Sequence, residues 1–232
     1  MDFSSAEENY LKAIYHLSET DSEIVSTNAI AEELNTKPAS VSDMLKKLSS
    51  KNLVNYIRYK GVSLTEKGKS VALWIVRKHR LWEVFLVEKL KFNWDEVHEV
   101  AEQLEHIKSR RMIEKLDVYL NFPKFDPHGD PIPDKEGNIA ILPTLPLSEV
   151  SIGEVVKVVS VSDSDANLLQ YLDKVGISIG SELQIVERIA FDGSLEINIK
   201  GSETVSRLVS PQVSQNILVT IDNKQKKALK GK

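Results

Sequence analysis

The sequence predicts a multidomain, mainly α-helical chain that ends in a small β-barrel, and three observations predict it. Three short helical patterns and a hairpin signal fill roughly the first 65 residues. Longer helical patterns continue to about residue 120. Beyond a proline-rich stretch, the apolar residues change from helical to alternating spacing.

Residues 4–19 read as the first helix: Ser5 and Glu8 fit a capping box, and Leu11, Ile14, Tyr15 and Leu17 form an apolar stripe. "VSTNAIAEELN" reads as the second, with Ser26 or Thr27 as cap and Ile30 and Leu34 facing inward. "TKPASVSDMLKKLSSKN" reads as the third, with Pro38 in its first turn and Val41, Leu45 and Leu48 at helical spacing. In "LVNYIRYKGVSLT", two β-rich runs flank Tyr59-Lys60-Gly61, a hairpin signal. Three short helices and a hairpin spell a winged helix-turn-helix. Thr65 opens a long helix over 65–90, followed by helices over about 94–107 and 109–120. "NFPKFDPHGDPIPDKEGNIAILPTLP" holds six of the eight prolines and reads as an extended connector. From about residue 147, "GEVVKVVSV", "ELQIVERI", "LEINIKG" and "NILVTI" are strand-like, and Asp192-Gly193 marks a hairpin turn. One short helix, "DANLLQYLDKVG", interrupts them and stops at Gly176. The basic tail "NKQKKALKGK" reads as disordered. The expected division is 1–70, 71–146, 147–222 and a tail over 223–232.

Composition excludes several classes. Apolar content of 41% and charged content of 28% describe an ordinary globular chain. No apolar run approaches the ~18–20 residues of a membrane span. The amino terminus, "MDFSSAEENY", is acidic and lacks an apolar signal core, so a cytoplasmic chain is expected. Without cysteine there are no disulfides, thiolate zinc sites or cysteine-ligated iron–sulfur clusters. The net charge of −4 carries no global sign of nucleic acid.

The local charge does. Between Lys37 and Lys60 stand six basic residues (Lys37, Lys46, Lys47, Lys51, Arg58, Lys60) and one acid, Asp43. Phosphate contacts need such a patch, and a helix fits the major groove. The amino-terminal part of the second helix of a helix-turn-helix meets base edges. Here that is Pro38, Ala39, Ser40, Ser42 and Asp43, small side chains suited to shape and methyl contacts. Tyr56, Arg58 and Lys60 put the wing near the backbone or minor groove. A merely solvated face is the plainer alternative, but the charges fall on the motif's own elements.

The second signal is "HEVAEQLEHI", residues 98–107. As a helix it sets His98, Glu102 and His106 one turn apart in a single row, with Glu105 beside it. His79 and Glu83 lie four apart in "RKHRLWE", and Asp126 and His128 lie in "FDPHGD". Four of the five histidines fall in these segments, His16 being the exception. A buried carboxylate pair without a counter-ion is costly, and a divalent cation offsets it. Oxygen and imidazole donors suit Mn²⁺ or Fe²⁺, although zinc and copper bind such groups more tightly.

"EENYLKAIY", "KPASVSDMLKKL", "VRKHRLWEVFL", "HEVAEQLEH" and "FPKFDPHGDPIP", spread over almost the whole chain, make it similar to the diphtheria-toxin-repressor family of metal-dependent transcriptional regulators. It resembles most the manganese- and iron-responsive members with a C-terminal SH3-like (FeoA-like) domain. The resemblance implies a homodimer that binds palindromic operator DNA when loaded with Mn(II) and represses metal-homeostasis genes. It implies a helical dimerisation domain, with Trp74, Ile75, Trp82, Phe85 and Leu86 as candidate contacts. By position, it puts a primary metal site at Asn9, Glu102, Glu105 and His106. It puts a second at His79, Glu83, His98, Asp126 and His128, completed near Asp163, where Ser164, Asp165 and Asn167 are alternatives. Glutamate at 102 resembles the manganese-type members, where iron-type members often carry cysteine. Two positions depart from the family pattern. Position 9, commonly Asp or Met, is Asn, which implies a weaker primary site or one that recruits Glu8. Position 12, a second carboxylate in some manganese regulators, is Lys12, which argues against a tight two-metal site. Metal is then expected to fix a first helix that is loosely tied without it.

Four other readings compete: an Fe(II)-responsive repressor of the same family, a winged-helix regulator that ignores metal, a metal-binding scaffold that never meets DNA, and a metalloenzyme. The last lacks H-E-x-x-H, H-x-x-E-H and any nucleophile–base motif or phosphate loop.

Overall fold

The structure is a computed structural model that describes residues 3–20, 24–58, 60–162, 165–201 and 204–221. Tyr59, Asp163, Ser164 and the tail over 223–232 lie outside the described residues. The helices, in chain order, are α1 (Ser5–Thr20), α2 (Thr27–Glu33), α3 (Pro38–Ser50), α4 (Glu66–Leu90), α5 (Val97–Leu104) and α6 (Arg110–Tyr119), with the strands β1 (Val54–Ile57) and β2 (Gly61–Leu64) between α3 and α4. The chain divides into two compact units. The first comprises Met1–Phe85, Val100–Lys124 and Ile132–Ala140; the second comprises Leu86–Glu99, Phe125–Pro131 and Ile141–Lys232.

The first unit contains the expected winged helix-turn-helix. Leu11, Ile14, Ile30, Val41, Leu45, Leu48, Leu53 and Val62 are buried in one core with Ile75 and Val76 of α4. The hairpin pairs β1 and β2 antiparallel, Val54 opposite Leu64, and Val25 bridges to Val62 as a third short edge. Helix starts follow local chemistry. Ser26 Oγ accepts the amide of Ala29, and Thr65 Oγ1 accepts the amide of Gly68. The capping box of α1 lies one residue earlier than Ser5 and Glu8. Ser4 N–H donates to Glu7 Oε2 at 3.0 Å, and Glu7 N–H donates to Ser4 Oγ at 3.3 Å. Gly68 brings α4 against the hairpin so closely that a Cβ would stand 1.9 Å from the Leu53 carbonyl oxygen.

Two boundaries differ from expectation. α4 ends where Lys91 turns left-handed, and the next helix begins only at Val97. It also ends early, at Leu104: Ile107 N–H returns to the Leu104 carbonyl, and Ser109 turns extended to cap α6. Glu105 and His106 therefore sit in a turn. The expected single row of His98, Glu102 and His106 keeps only its first two members on the helix.

In the second unit, β3 (Leu145–Pro146), β4 (Val155–Val161), α7 (Ala166–Val175), β5 (Glu182–Arg188), β6 (Leu195–Lys200), β7 (Val205–Val209), α8 (Pro211–Asn216) and β8 (Ile217–Ile221) follow one another. The strands form an antiparallel sheet in the order β3-β8-β4-β5-β6-β7. Register shifts at Val158/Ser160 and Ile185/Glu187 bend it around Leu147, Val158, Leu169, Leu172, Ile185, Ile197 and Val219. Gly176 ends α7 in the left-handed conformation, as expected. α7 is not the only helix there: Ser210 caps α8 and Pro211 opens it, so this unit has a second helix where one was expected. Part of the connector belongs to this unit. It is a tight loop and not extended as expected of the connector, with Phe125 bridged to Pro131 and Gly129 at φ +88°, where a Cβ would strike the Val159 carbonyl.

Candidate metal centre and nucleic-acid face

Within the first unit, α1, α4 and the end of α5 meet in a patch of carboxylates, imidazoles and ammonium groups. Glu105 is fully buried. His79 Nδ1 lies 2.6 Å from its Oε2, and Lys12 Nζ lies 2.8 Å from Oε1 and 2.9 Å from Oε2. The contact to Oε1 has ion-pair distance without hydrogen-bond geometry. Lys12 also reaches Glu102 Oε1 at 3.3 Å. His106 Nδ1 stands 2.7 Å from Glu8 Oε2, its Nε2 is 4.0 Å from Glu105 Oε1, and Lys78 Nζ is 3.4 Å from Glu8 Oε1. His79 Nε2 is 2.9 Å from Glu83 Oε1. Asn9 Oδ1 is buried with no hydrogen-bond partner among the described residues.

Electrostatics follow from these contacts. Burial alone would depress the His79 imidazolium, but hydrogen bonds to Glu105 and Glu83 outweigh it and raise its pKa to about 9. Burial would raise Glu105, yet His79 and Lys12 hold it below the usual carboxylate range. His16 goes the other way: burial, then Arg80 and Lys12, push it down to about 4, so it is neutral at pH 7.

The residues fit a divalent cation. A buried amide oxygen that only accepts, carboxylates from Glu102 and Glu105 and an imidazole from His106 make a donor set of oxygen and nitrogen. Two details went beyond the sequence. Glu8, expected only as a recruit, is already on His106, and Lys78, flagged by no local pattern, pins its other oxygen. Lys12 and Glu8 tie α1 to the segment carrying Glu102, Glu105 and His106.

In the second unit, Asp126 and His128 lie together in the connector loop. Asp126 Oδ1 accepts the amides of His128 and Asp130, both at 2.9 Å. His128 stacks on Trp94 and its Nε2–H donates to the Trp94 carbonyl at 2.7 Å. That bond fixes the tautomer of the neutral ring, leaving the lone pair on Nδ1, as in a metal-ligating imidazole oriented by a carbonyl. Trp94 is held by Asp173 of α7 through a 3.0 Å hydrogen bond. His98, half-buried, is the second residue of α5.

On the basic side, Lys37, Pro38, Ala39, Ser40, Asp43, Lys46 and Lys47 are exposed along the start and outer face of α3, with Ser42 half-buried. Arg58 and Lys60 are exposed at the hairpin tip. Lys46 pairs with Asp43 at 2.9 Å. Lys47 and Lys51 both reach the buried Glu7 of α1, at 3.2 and 2.5 Å. The sequence reading did not find this tie, because its partners are about 40 residues apart. Of the five candidate dimer contacts, Ile75, Trp82 and Leu86 are buried within the chain, while Trp74 and Phe85 keep exposed surface. Met112, Val118 and Tyr119 of α6 are exposed as well.

Comparison with known proteins finds three family descriptions along the chain: iron dependent repressor, N-terminal DNA binding domain, at residues 2–62; iron dependent repressor, metal binding and dimerisation domain, at 65–134; and FeoA domain, at 145–221. The iron-dependent repressor IdeR of Mycobacterium tuberculosis is 30% identical over 216 residues, 93% of this chain and 83% of that protein. A solved manganese-dependent transcriptional repressor in complex with manganese is 36% identical, with a TM-score of 0.85 over 93% of this chain and 99% of that one. The manganese regulator SloR is 38% identical, with a TM-score of 0.72 over 93% and 98%.

Proposed function

The chain belongs to the iron-dependent repressor family, and we propose that it is a metal-dependent transcriptional repressor that pairs as a homodimer and grips palindromic operator DNA when loaded with Mn(II). Residues 1–70 read DNA, 71–146 sense the ion and pair the chains, and 147–222 form the FeoA-like domain. Metal-homeostasis genes are the targets, and the protein works in the cytoplasm without catalysing a reaction. Among the described residues no helix is long and apolar enough to cross a membrane.

One observation carries the reading: α1 stands between α3 and the carboxylate–imidazole cluster, with Glu7 on Lys47 and Lys51 and, one residue on, Glu8 on His106. Asn9, Glu102, Glu105 and His106 are the proposed primary ligands, with Glu8 alongside. The second set, taken from the family resemblance, is His79, Glu83, His98, Asp126, His128 and Asp163. A bound ion supplies two positive charges that join donors of α1 to donors of the α5 end. Glu7 then hands the position of α1 to α3. Such an ion favours DNA binding only insofar as the DNA-competent arrangement holds it more tightly. In the dimer, Trp74, Phe85 and the exposed α6 residues are the proposed contacts, and the two α3 helices read half-sites about 34–36 Å apart. Fe(II) is the alternative ion, since relatives of comparable identity carry iron in their names.

The test is an anaerobic operator titration with Mn(II), Fe(II) and Zn(II). The unaltered chain must require metal, and Glu102→Ala with His106→Ala must abolish that requirement or the binding itself. Metal-dependent binding that survives both substitutions removes the proposal.

A further inference from the structure

We infer that Lys12 is a built-in cation of the α1–α5 cluster: its ammonium holds the place of a second ion between Glu102 and Glu105. The cluster then takes one divalent ion, at an affinity the lysine sets. The inference rests on the reading that Glu102, Glu105 and His106 bind a metal.

The geometry is that of a counter-ion, not a surface lysine. Lysines on a helix normally carry the ammonium out to water. The Lys12 side chain is only 13% exposed and turns its Nζ onto both oxygens of the fully buried Glu105, and onto Glu102 as well. Asn9, one turn before it on α1, is neutral, so of these two α1 positions one carries no charge and the other a positive one. Glu8, the remaining acid of this face, is engaged by Lys78 and His106.

Two consequences follow. An ion that shares Glu102 and Glu105 with Lys12 sits a few ångströms from a fixed positive charge. At the effective dielectric of such a site, that repulsion lowers affinity at least about tenfold. The same ammonium leaves no room, in charge or in space, for a second ion on those carboxylates. The lysine therefore tunes the sensor to a higher metal concentration and keeps α1 tethered before the ion arrives.

The experiment follows free Mn(II) by electron paramagnetic resonance as metal-stripped full chain is titrated, so it does not depend on DNA. Lys12→Gln must tighten Mn(II) binding at least about tenfold at unchanged stoichiometry. Lys12→Arg, which keeps the charge, must stay within about threefold of the unaltered chain. Lys12→Glu must take up one more Mn(II) per chain. Unchanged affinity in Lys12→Gln, or unchanged stoichiometry in Lys12→Glu, overturns the inference. Should the neutral variant fail to fold, ¹⁵N-lysine spectra of the unaltered chain decide. A distinct Lys12 ammonium resonance must persist at saturation with diamagnetic Cd(II), and its merging with solvent-averaged lysines overturns the inference. If the unaltered chain takes up no Mn(II), the metal reading falls and the inference that rests on it falls with it.

Discussion

Lys47 of α3 and Glu7 of α1 form an ion pair with 3.2 Å between Nζ and Oε1, and Lys51 closes on the same oxygen at 2.5 Å. Lys47 of the helix proposed to meet DNA, and Lys51 that caps its end, are thus anchored in the first turn of the helix proposed to meet the ion. These ion pairs give the proposed reading a physical link between the two helices beyond likeness to relatives.

Removing the anchor has a calculable pH signature. Burial opposes ionisation of Glu7, but the hydrogen bonds from Lys51, Ser4 and Lys47 prevail and lower its pKa from the ordinary 4.5 to about 2. A depressed carboxylate stabilises the fold above its unfolded value, and the contribution fades as pH falls from about 4.5 through about 2. Glu7→Gln should cost about 1–2 kcal/mol at pH 7, allowing for solvent screening at the half-exposed lysines. Urea melts of both proteins should converge as the pH is lowered through that window. A constant difference across it would mean the loss is one of packing or capping.

His79 predicts the opposite slope in metal-stripped protein. Its folded value of about 9 stands above the ordinary 6.5, so its stabilisation is full below pH 6.5 and is lost as pH rises through 9. The melting temperature should fall by at least about 3 °C between pH 6.5 and 9.5, and His79→Gln should flatten that fall. Imidazole NMR resonances give the same midpoint independently.

The fold was legible wherever a local rule sufficed. Ser26, Pro38, Thr65 and Gly176 mark helix ends by their own hydrogen bonds or backbone preference, and each marks one in the structure. Local rules fail where tertiary contacts choose between equal local options. Ser4 and Glu7 win the capping box over Ser5 and Glu8 because His106 and Lys78 claim the Glu8 carboxylate. Helical spacing grouped His98 with Glu102 and His106, but spacing cannot see that Ser109 must turn extended to start α6. Residue types named the candidate ligands. The tethers among them, Lys12 to Glu105 and Lys78 to Glu8, span roughly 70 to 93 residues and leave no trace in any window.

Gly68 is a steric hinge point between α4 and the wing. A methyl group there meets the Leu53 carbonyl at 1.9 Å, and backbone cannot step aside as a flexible side chain can. Gly68→Ala should therefore destabilise the chain by about 1–3 kcal/mol in thermal or urea melts. It should do so although alanine favours helices, so a neutral or stabilising result would refute this packing.

The basic face makes an ionic-strength prediction. Lys37 stands at the start of α3 and Arg58 at the hairpin tip, both exposed. Lys37→Ala and Arg58→Ala should each weaken operator binding. Each should also reduce the slope of log K against log salt concentration by about 1, the signature of one lost phosphate contact. Weaker binding with an unchanged slope would reassign the residue to shape or base recognition.

One pair of substitutions separates the structural role of Asp126 from its proposed role as a ligand. Its Oδ1 holds the connector loop by accepting the amides of His128 and Asp130. Its charge is what the proposed second ion would need. Asn preserves an oxygen acceptor at the same place, so Asp126→Asn should leave stability within about 0.5 kcal/mol. Ala orphans two amides, and Asp126→Ala should cost about 1–3 kcal/mol. If Asp126 is a ligand, both variants must bind Mn(II) more weakly at that site, the folded Asn variant included. Wild-type uptake by Asp126→Asn would leave the residue a loop staple alone, and the second ion would then have to rest on His128 and its other proposed partners.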